Sequence, residues 1–236
     1  MALGDEIQKL RQQVQHNILS LNEQLEKLKE QALATLPPEA LEALKNSFQE
    51  LEEIPFESSS LKASDHAPDF ALPNSFGKII RLKEVLSSGP IVLSFYRGEW
   101  SSFCELELKA LQTYLPEIRS QGGAVLAVSP QDAASTQKTV EKSGLTYDVV
   151  SDRGNKIAKL FGVSYAINPS QDKFLTDGGI DLEKCCGQES KDLPTPATFV
   201  IDQESVIRFA FVNSDYTRRA EPSEIVEVLR TIKKAV

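Results

Sequence analysis

The sequence predicts an α/β fold in which a mixed central β-sheet is flanked by helices and preceded by a helical extension. Three observations indicate this fold: strands alternate with helices over residues 68–161, a two-stranded hairpin follows near residues 196–213, and the first 53 residues show only helical periodicity. Alternation indicates βαβ units with parallel strands, and the hairpin adds antiparallel strands. We therefore expect a helical hairpin over residues 1–53 and an α/β domain over residues 65–236.

The N-terminal extension is predicted to form two helices. Apolar residues recur three or four positions apart over residues 4–33 and again over residues 39–51, which is the spacing of one helix face. Pro37 and Pro38 interrupt the pattern between them. The apolar stripe of this hairpin has two alternative roles, because it either packs against the body of the protein or forms the seam of a homodimer.

Residues 54–67 are rich in proline, serine and mixed charge, which predicts a linker. Residues 165–193 give no clear pattern. The remaining predicted elements are, in chain order, two short strands around a turn at Asn74–Gly77, a brief helix, a strand over Ile91–Tyr96, a helix that begins near Ser101 or Ser102, a strand over Gly122–Ser129, a helix over Asp132–Lys142, a strand over Tyr147–Ser151, a helix over Gly154–Phe161, two strands around a turn at Asp202–Ser205, and a helix from Pro222.

Composition excludes several classes of function. The chain has 236 residues and a net charge of −8, which argues against a nucleic acid or an anionic membrane as partner. It lacks an 18-residue apolar run and a signal-peptide pattern, so we expect a cytoplasmic protein. Three cysteines are too few for a disulfide scaffold, and two histidines (His16 and His66) argue against zinc. We expect neither a metal nor a cofactor.

One cysteine lies where a strand turns into a helix. Gly98 breaks the chain after the strand, and a serine N-cap places Cys104 in the first helical turn. A thiol reacts as its thiolate, and an ordinary cysteine with a pKa of about 8.5 is only slightly ionised at neutral pH. The amides of a helix N-terminus favour the anion. Arg97 would add positive charge, whereas Glu105 and Glu107 oppose the anion unless a cation neutralises them. A reactive thiol and a buried structural cysteine are the two alternatives.

Three segments resemble those of the peroxiredoxin (AhpC/TSA) family, in the branch that has FYRG-x-W in its active-site segment. APDFALPNSFGKIIRL resembles the family's opening segment, LSFYRGEWSSFCELEL its active-site segment and LPTPATFVIDQESVIRFAFVN its closing hairpin. The resemblance covers about residues 65–235 and implies a thioredoxin-like fold. The N-terminal helices lie outside it.

The resemblance implies roles for individual residues. Cys104 stands at the peroxidatic cysteine, and Ser101 stands at the Thr/Ser position whose hydroxyl binds the thiolate and the peroxide. Glu107 matches a glutamate that pairs with an arginine near the C-terminal helix, for which Arg219 is the best candidate. The implied enzyme is a thiol-dependent peroxidase. Its thiolate attacks hydrogen peroxide or an organic hydroperoxide to give a sulfenic acid, which a resolving thiol and then thioredoxin or another dithiol donor reduce.

Two positions depart from the family pattern. Arg97 replaces the proline of the active-site motif, and it either hydrogen-bonds the peroxide or forms a salt bridge with an acid. Pro196 stands where many peroxiredoxins have their catalytic arginine. In thioredoxin-like reductases that position is a cis-proline, so this likeness predicts a cis bond between Thr195 and Pro196.

A third departure concerns the second thiol of the reaction. Relatives with the same wording often have Trp-Cys-Pro-Tyr-Cys, whereas this chain has serine at position 101, either naturally or as an engineered replacement of cysteine. A Cys-x-x-Cys disulfide is therefore impossible here. Cys185 and Cys186 are the internal candidates for resolving an oxidised Cys104, and an external thiol is the alternative. Two other functions remain open, namely a thioredoxin-like disulfide reductase or isomerase, and a non-catalytic module whose helical hairpin binds a partner.

Overall fold

A computed structural model describes residues 19–186 and 191–235. Its helices and strands follow the predicted order, and further elements lie where the sequence shows no clear pattern. In chain order they are α1 (Leu21–Thr35), α2 (Pro38–Glu52), α3 (Phe56–Ser59), β1 (Ala71–Pro73), β2 (Ile79–Arg81), α4 (Leu82–Leu86), β3 (Ile91–Phe95), α5 (Ser102–Ser120), β4 (Ala124–Ser129), α6 (Ala133–Ser143), β5 (Asp148–Ser151), α7 (Lys156–Leu160), β6 (Ser164–Ala166), α8 (Pro169–Asp177), α9 (Leu182–Cys186), β7 (Asp192–Pro194), β8 (Ala197–Ile201), β9 (Ile207–Val212) and α10 (Pro222–Ala235).

The main sheet has five strands in the order β5-β4-β3-β8-β9. β3 is parallel to β4, and β4 is parallel to β5, whereas β8 runs antiparallel to both β3 and β9. The predicted mixed sheet is thus confirmed. All five residues of β3 are buried because helices and loops cover both of its faces. This central position fixes the end of β3, where the chain turns toward Cys104.

The two faces of β3 contribute to separate apolar clusters. Ile91, Leu93 and Phe95 pack on one face in a cluster that contains β2, α4 and α7. Val92 and Tyr96 pack on the other face against apolar residues of α5 and α10. The period-2 alternation of a strand therefore places α5, with Cys104, on the same side of the sheet as α10.

The first described helix begins later than the periodicity predicts. α1 starts at Leu21 because the Ser20 hydroxyl accepts a hydrogen bond from the Glu23 N–H at 3.2 Å, and the Glu23 carboxylate accepts one from the Ser20 N–H at 2.7 Å. The helix predicted over residues 4–33 is therefore wrong at Ser20, which is not helical. Residues 4–18 of that prediction lie outside the described part of the chain.

The helical hairpin of α1 and α2 packs against the body of the protein. Leu21 and Leu25 of α1 and Leu44 and Leu51 of α2 are buried. α1 lies against α5, and α2 lies against α8. Of the two roles predicted for the apolar stripe, the described residues show the first, while the homodimer remains a prediction.

The predicted linker is also packed against the domain. Phe56 of α3 is buried, and its ring meets that of Tyr165 edge-on at 5.8 Å between centroids. The Leu61 N–H donates to the Phe161 carbonyl at 3.1 Å. The segment is polar in composition, but Phe56 and Ala67 are buried against the domain, so the predicted linker is packed rather than free.

The C-terminal half contains helices and strands that were not predicted, and a peptide bond that differs from the prediction. The segment without a clear sequence pattern contains α8, α9 and the antiparallel pair β6–β7. The bond between Thr195 and Pro196 is trans, so the cis bond predicted from the likeness to reductases is wrong. The trans isomer is also the intrinsically preferred form of an X–Pro bond.

In residues 19–186 and 191–235, no helix is both long enough and apolar enough to cross a membrane.

Candidate active site

Cys104 lies in the first turn of α5, as the sequence predicts. Ser101 is the N-cap, and its hydroxyl accepts a hydrogen bond from the Cys104 N–H at 3.3 Å. The Cys104 side chain is completely buried. A helix of this length presents aligned amide dipoles at its N-terminus, and these favour a negative charge on the sulfur.

Arg219 connects Cys104 to Glu107. Its Nη2 donates to Cys104 Sγ at 3.6 Å, and its Nε donates to Glu107 Oε2 at 2.6 Å. The side chains of Arg219 and Glu107 are only 1% and 2% exposed, so little water screens the pair. One guanidinium therefore faces two groups that carry negative charge when Cys104 is a thiolate.

The Glu107 carboxylate is held by the central strands of the sheet. Its Oε1 accepts hydrogen bonds from the hydroxyls of Ser94 on β3 and Thr198 on β8, both at 3.2 Å. Ser94 and Thr198 are direct partners across the antiparallel pair. Each Glu107 oxygen thus has a donor, and the sheet fixes the carboxylate that in turn orients Arg219.

The remaining donor nitrogen of Arg219 is bound by its own segment of the chain. Nη1 donates to the carbonyl of Arg218 at 2.7 Å and also to the carbonyl of Tyr216. The guanidinium therefore has a partner on every nitrogen. Because Nη1 binds carbonyls of this segment, the distance of the guanidinium from Cys104 depends in part on where the segment before α10 lies.

The second acid near Cys104 is neutralised separately. Glu105 pairs with Lys109 at 2.6 Å and with Lys142 at 2.7 Å. Hydrogen bonds from these two lysines hold the pKa of Glu105 below its usual value. Glu105 and Glu107, the two acids whose charge would oppose a thiolate at Cys104, are thus both paired with cations in the structure.

Arg97 is a second buried cation beside the site. It is 7% exposed, and its guanidinium carbon lies 4.7 Å from the centroid of the Tyr216 ring. Burial raises the pKa of Tyr216 to about 12, so this ring stays neutral at physiological pH. Among the described residues Arg97 forms no ion pair, and its Nε has no hydrogen-bond partner. The salt bridge offered as one alternative for Arg97 is therefore not seen in the described part of the chain.

Pro196 lies beside the end of the central strand. The next residue, Ala197, pairs with Phe95, the last residue of β3. A proline has no N–H and no side-chain donor, so it donates no hydrogen bond to the site. Arg219 donates to Cys104 Sγ instead, and Arg97 is a second buried cation beside the site.

Cys185 and Cys186 form a separate thiol pair at the end of α9. Their sulfurs are 3.6 Å apart, and all three cysteines of the chain are free. A hydrogen bond from Cys186 lowers the pKa of the half-buried Cys185, while the same bond raises the pKa of the buried Cys186. The Cys185 carbonyl accepts from the Asp132 N–H at 2.8 Å, which fixes α9 to the start of α6.

A cavity of about 980 Å³ opens next to the Cys104 turn. At one end it is lined by Arg97, Trp100 and Ser101, and at the other by Leu36, Ala40 and Leu44 of the helical hairpin. No pattern in the sequence indicates this cavity. Its wall comes partly from the hairpin and partly from α8, and the packing of these two segments has no local sequence signal.

Comparisons with known proteins match the body of the chain. The AhpC/TSA family model matches residues 63–210. The chloroplastic peroxiredoxin Q of Triticum aestivum is 26% identical over 165 residues, which are 70% of this chain and 65% of that protein. The thiol-disulfide oxidoreductase ResA of Geobacillus thermodenitrificans is 30% identical over 129 residues, which are 54% of this chain and 71% of that protein. This chain thus spans just under two thirds of the length of the peroxiredoxin Q.

A solved structure supports the fold. The crystal structure of peroxidoxin BcpB from Mycobacterium tuberculosis superimposes with a TM-score of 0.58 and 23% identity, and covers 73% of this chain and 98% of that chain. The likeness confirms the predicted thioredoxin-like fold. The family match begins at residue 63, after the helical hairpin.

The buried ion pair predicts a large difference between two neighbouring acids. Glu107→Ala leaves the Arg219 charge buried without its partner, so we expect the free energy of unfolding to fall by about 3–5 kcal/mol. Glu105→Ala is the matched control on the same helix, and we expect a loss of at most about 1 kcal/mol because its lysine partners are exposed. Urea unfolding of both variants measures the difference, and equal losses would contradict the buried pairing.

Proposed function

Because this chain belongs to the AhpC/TSA family, we propose that it is a thiol-dependent peroxidase that reduces hydroperoxides through Cys104. One observation carries the proposal. The Cys104 sulfur lies at the N-terminus of α5 with Arg219 Nη2 at 3.6 Å, and Glu107 holds that arginine in place. This arrangement stabilises a thiolate and places a hydrogen-bond donor where an oxygen anion forms during the reaction.

The proposed chemistry is a displacement at oxygen. The Cys104 thiolate attacks the terminal oxygen of the hydroperoxide, so an S–O bond forms while the O–O bond breaks. The sulfur is oxidised to a sulfenic acid, and the leaving oxygen takes a proton from solvent to become water or an alcohol. Arg219 acts by stabilising charge on sulfur and on the leaving oxygen, and Ser101 acts by capping the helix that presents the sulfur.

Arg97 is proposed to bind the hydroperoxide. Its guanidinium is buried over the Tyr216 ring, and its Nε donor has no partner in the described residues. A buried donor without a partner is costly unless a ligand satisfies it. Arg97 also lines the cavity beside Ser101, where a hydroperoxide would approach the Cys104 turn.

The cavity supports organic hydroperoxides as substrates alongside hydrogen peroxide. Sites for small organic ligands occupy about 300–1,000 Å³ and are mostly apolar. A cavity of about 980 Å³ is far larger than hydrogen peroxide requires, and the hairpin lines it with leucine and alanine as well as with polar residues such as Glu39 and Glu42. We therefore propose that the carbon chain of a hydroperoxide lies against the hairpin while its O–O group lies near Arg97.

The reduction of the sulfenic acid requires a second thiol. We propose an external dithiol donor such as thioredoxin, because Cys185 and Cys186 face each other and α9 is bonded to the start of α6. Direct resolution by Cys185 is the internal alternative, since it is the more exposed thiol of the pair and the one whose pKa is lowered. A cytoplasmic location and a homodimer remain predictions from the sequence, as does the division at residues 1–53 and 65–236.

A second candidate function is disulfide exchange. It is favoured by the similarity to ResA, which is named a thiol-disulfide oxidoreductase. Exchange between dithiols and disulfides uses two neighbouring thiols, and position 101 is a serine in this chain. The trans bond before Pro196 also removes one of the features that pointed to a reductase. We therefore favour the peroxidase.

The peroxidase proposal predicts a single fast-reacting thiol. One equivalent of hydrogen peroxide should oxidise Cys104 to the sulfenic acid before Cys185 or Cys186, as measured by mass spectrometry after trapping with dimedone. The second-order rate constant should exceed that of free cysteine by at least about 100-fold, because positioned charges contribute that much to such reactions. Cys104→Ser should abolish turnover, and Cys185→Ser should leave the first oxidation step unchanged. Slow oxidation together with activity toward insulin disulfides would favour the reductase instead.

The cavity predicts a variant that separates large from small substrates. Ala40→Trp places a bulky side chain in part of the cavity, so we expect kcat/KM for cumene hydroperoxide to fall about tenfold or more while that for hydrogen peroxide stays within about twofold. Ala34→Trp is the control, because Ala34 is an exposed residue of α1 outside the lining. Equal activity of the Ala40 and Ala34 variants toward cumene hydroperoxide would show that the cavity does not bind the substrate.

A further inference from the structure

The start of α1 is bonded to the segment that carries Arg219. Asn22 binds the backbone of Arg219 on both sides: its Oδ1 accepts from the Arg219 N–H at 3.2 Å, and its Nδ2 donates to the Arg219 carbonyl at 2.9 Å. The two residues are 197 positions apart in the chain. One side chain of the N-terminal extension thus fixes both backbone polar groups of the arginine beside Cys104.

Glu221 secures the same contact from the other direction. Its carboxylate accepts from the Leu21 N–H at 3.1 Å, and from the N–H and the Nδ2 of Asn22 at 2.8 and 2.7 Å. An anion at a helix N-terminus is stabilised by the free amides and the dipole of that helix. The N-terminus of α1 is therefore hydrogen-bonded to Glu221, which lies two residues after Arg219.

A second group of contacts holds the segment further upstream. Lys29 of α1 pairs with Asp215 at 3.0 Å, and Phe48 of α2 stacks on Tyr216 with ring centroids 4.9 Å apart. Residues 213–221 lie between β9 and α10 and belong to neither a strand nor a helix. No sheet ladder fixes this segment, so the contacts with the hairpin add to the Thr195–Asn213 bond and the Arg219–Glu107 pair in setting its position.

We infer that Asn22 is a positioning residue for Arg219, and that the helical hairpin thereby supports the reactivity of the proposed peroxidase site. The inference rests on the proposed function and adds a residue that lies outside the family match at residues 63–210. The guanidinium already uses all its nitrogens, so a shift of the Arg219 backbone moves Nη2 away from Cys104 or breaks the pair with Glu107. A displacement of about 1 Å in a catalytic group can lower a rate by about 100-fold.

The test measures the second-order rate constant for oxidation of Cys104 by hydrogen peroxide in the full chain. We expect Asn22→Ala to lower it by about 10- to 100-fold, because the arginine backbone loses both bonds from the extension. Glu23→Ala is the matched control. It removes the bond to the Ser20 N–H at the same helix end without contacting the Arg219 segment, so its rate should stay within about twofold of wild type.

A double-mutant cycle separates positioning from a general loss of structure. Arg219→Lys keeps a positive charge for Glu107 but removes the planar guanidinium whose nitrogens bind both Glu107 and Cys104. If Asn22 acts through the arginine, Asn22→Ala should cause no further loss of rate in the Arg219→Lys background. Far-ultraviolet circular dichroism of each variant checks that it is folded.

The outcomes distinguish this inference from the proposed function. Slow oxidation of wild-type Cys104 would overturn the peroxidase and the positioning role together. A fast wild type with an Asn22→Ala variant as fast as Glu23→Ala would overturn the positioning role alone. A loss of rate of the same size in both the wild-type and Arg219→Lys backgrounds would also overturn it, since the effect would then not pass through Arg219.

Discussion

The candidate site depends on one buried guanidinium. Arg219 donates to Glu107, to Cys104 Sγ and to two carbonyls of its own segment, so its position is determined from three directions. Glu107 is fixed in turn by hydroxyls on the two central strands of the sheet. The strand pairing that forms the fold thereby also sets the distance between the cation and the sulfur.

Burying charged groups costs free energy, which decides how this site has to be built. A buried ion pair is tolerated when each polar atom has a partner, and an isolated buried charge is strongly destabilising. Arg219 and Glu107 satisfy each other, whereas Arg97 keeps an unpaired donor beside the cavity. The Arg219–Glu107 pair therefore fits a structural and electrostatic role, whereas Arg97 fits a role in binding a ligand.

Much of the fold was predictable from the sequence because it rests on local patterns. The strand before Cys104, a serine N-cap at position 101 or 102 of the following helix, and the closing hairpin follow from apolar periodicity and turn residues. Contacts between distant parts of the chain have no such signal. The bonds of Asn22 with Arg219 and Glu221, and the cavity under the hairpin, were not predictable, because they depend on how two remote segments pack. The start of α1 was misplaced because the apolar spacing continues through the serine that caps the helix.

The most direct test of the electrostatic account removes the charge on Arg219 without leaving another charge unpaired. The double variant Glu107→Gln/Arg219→Met replaces the buried ion pair by neutral side chains of similar size, so the domain should still fold. Its second-order rate constant with hydrogen peroxide should fall by at least about 100-fold relative to wild type, because the donor that stabilises the developing charge is gone. A rate equal to that of wild type would show that the reactivity of Cys104 does not depend on Arg219.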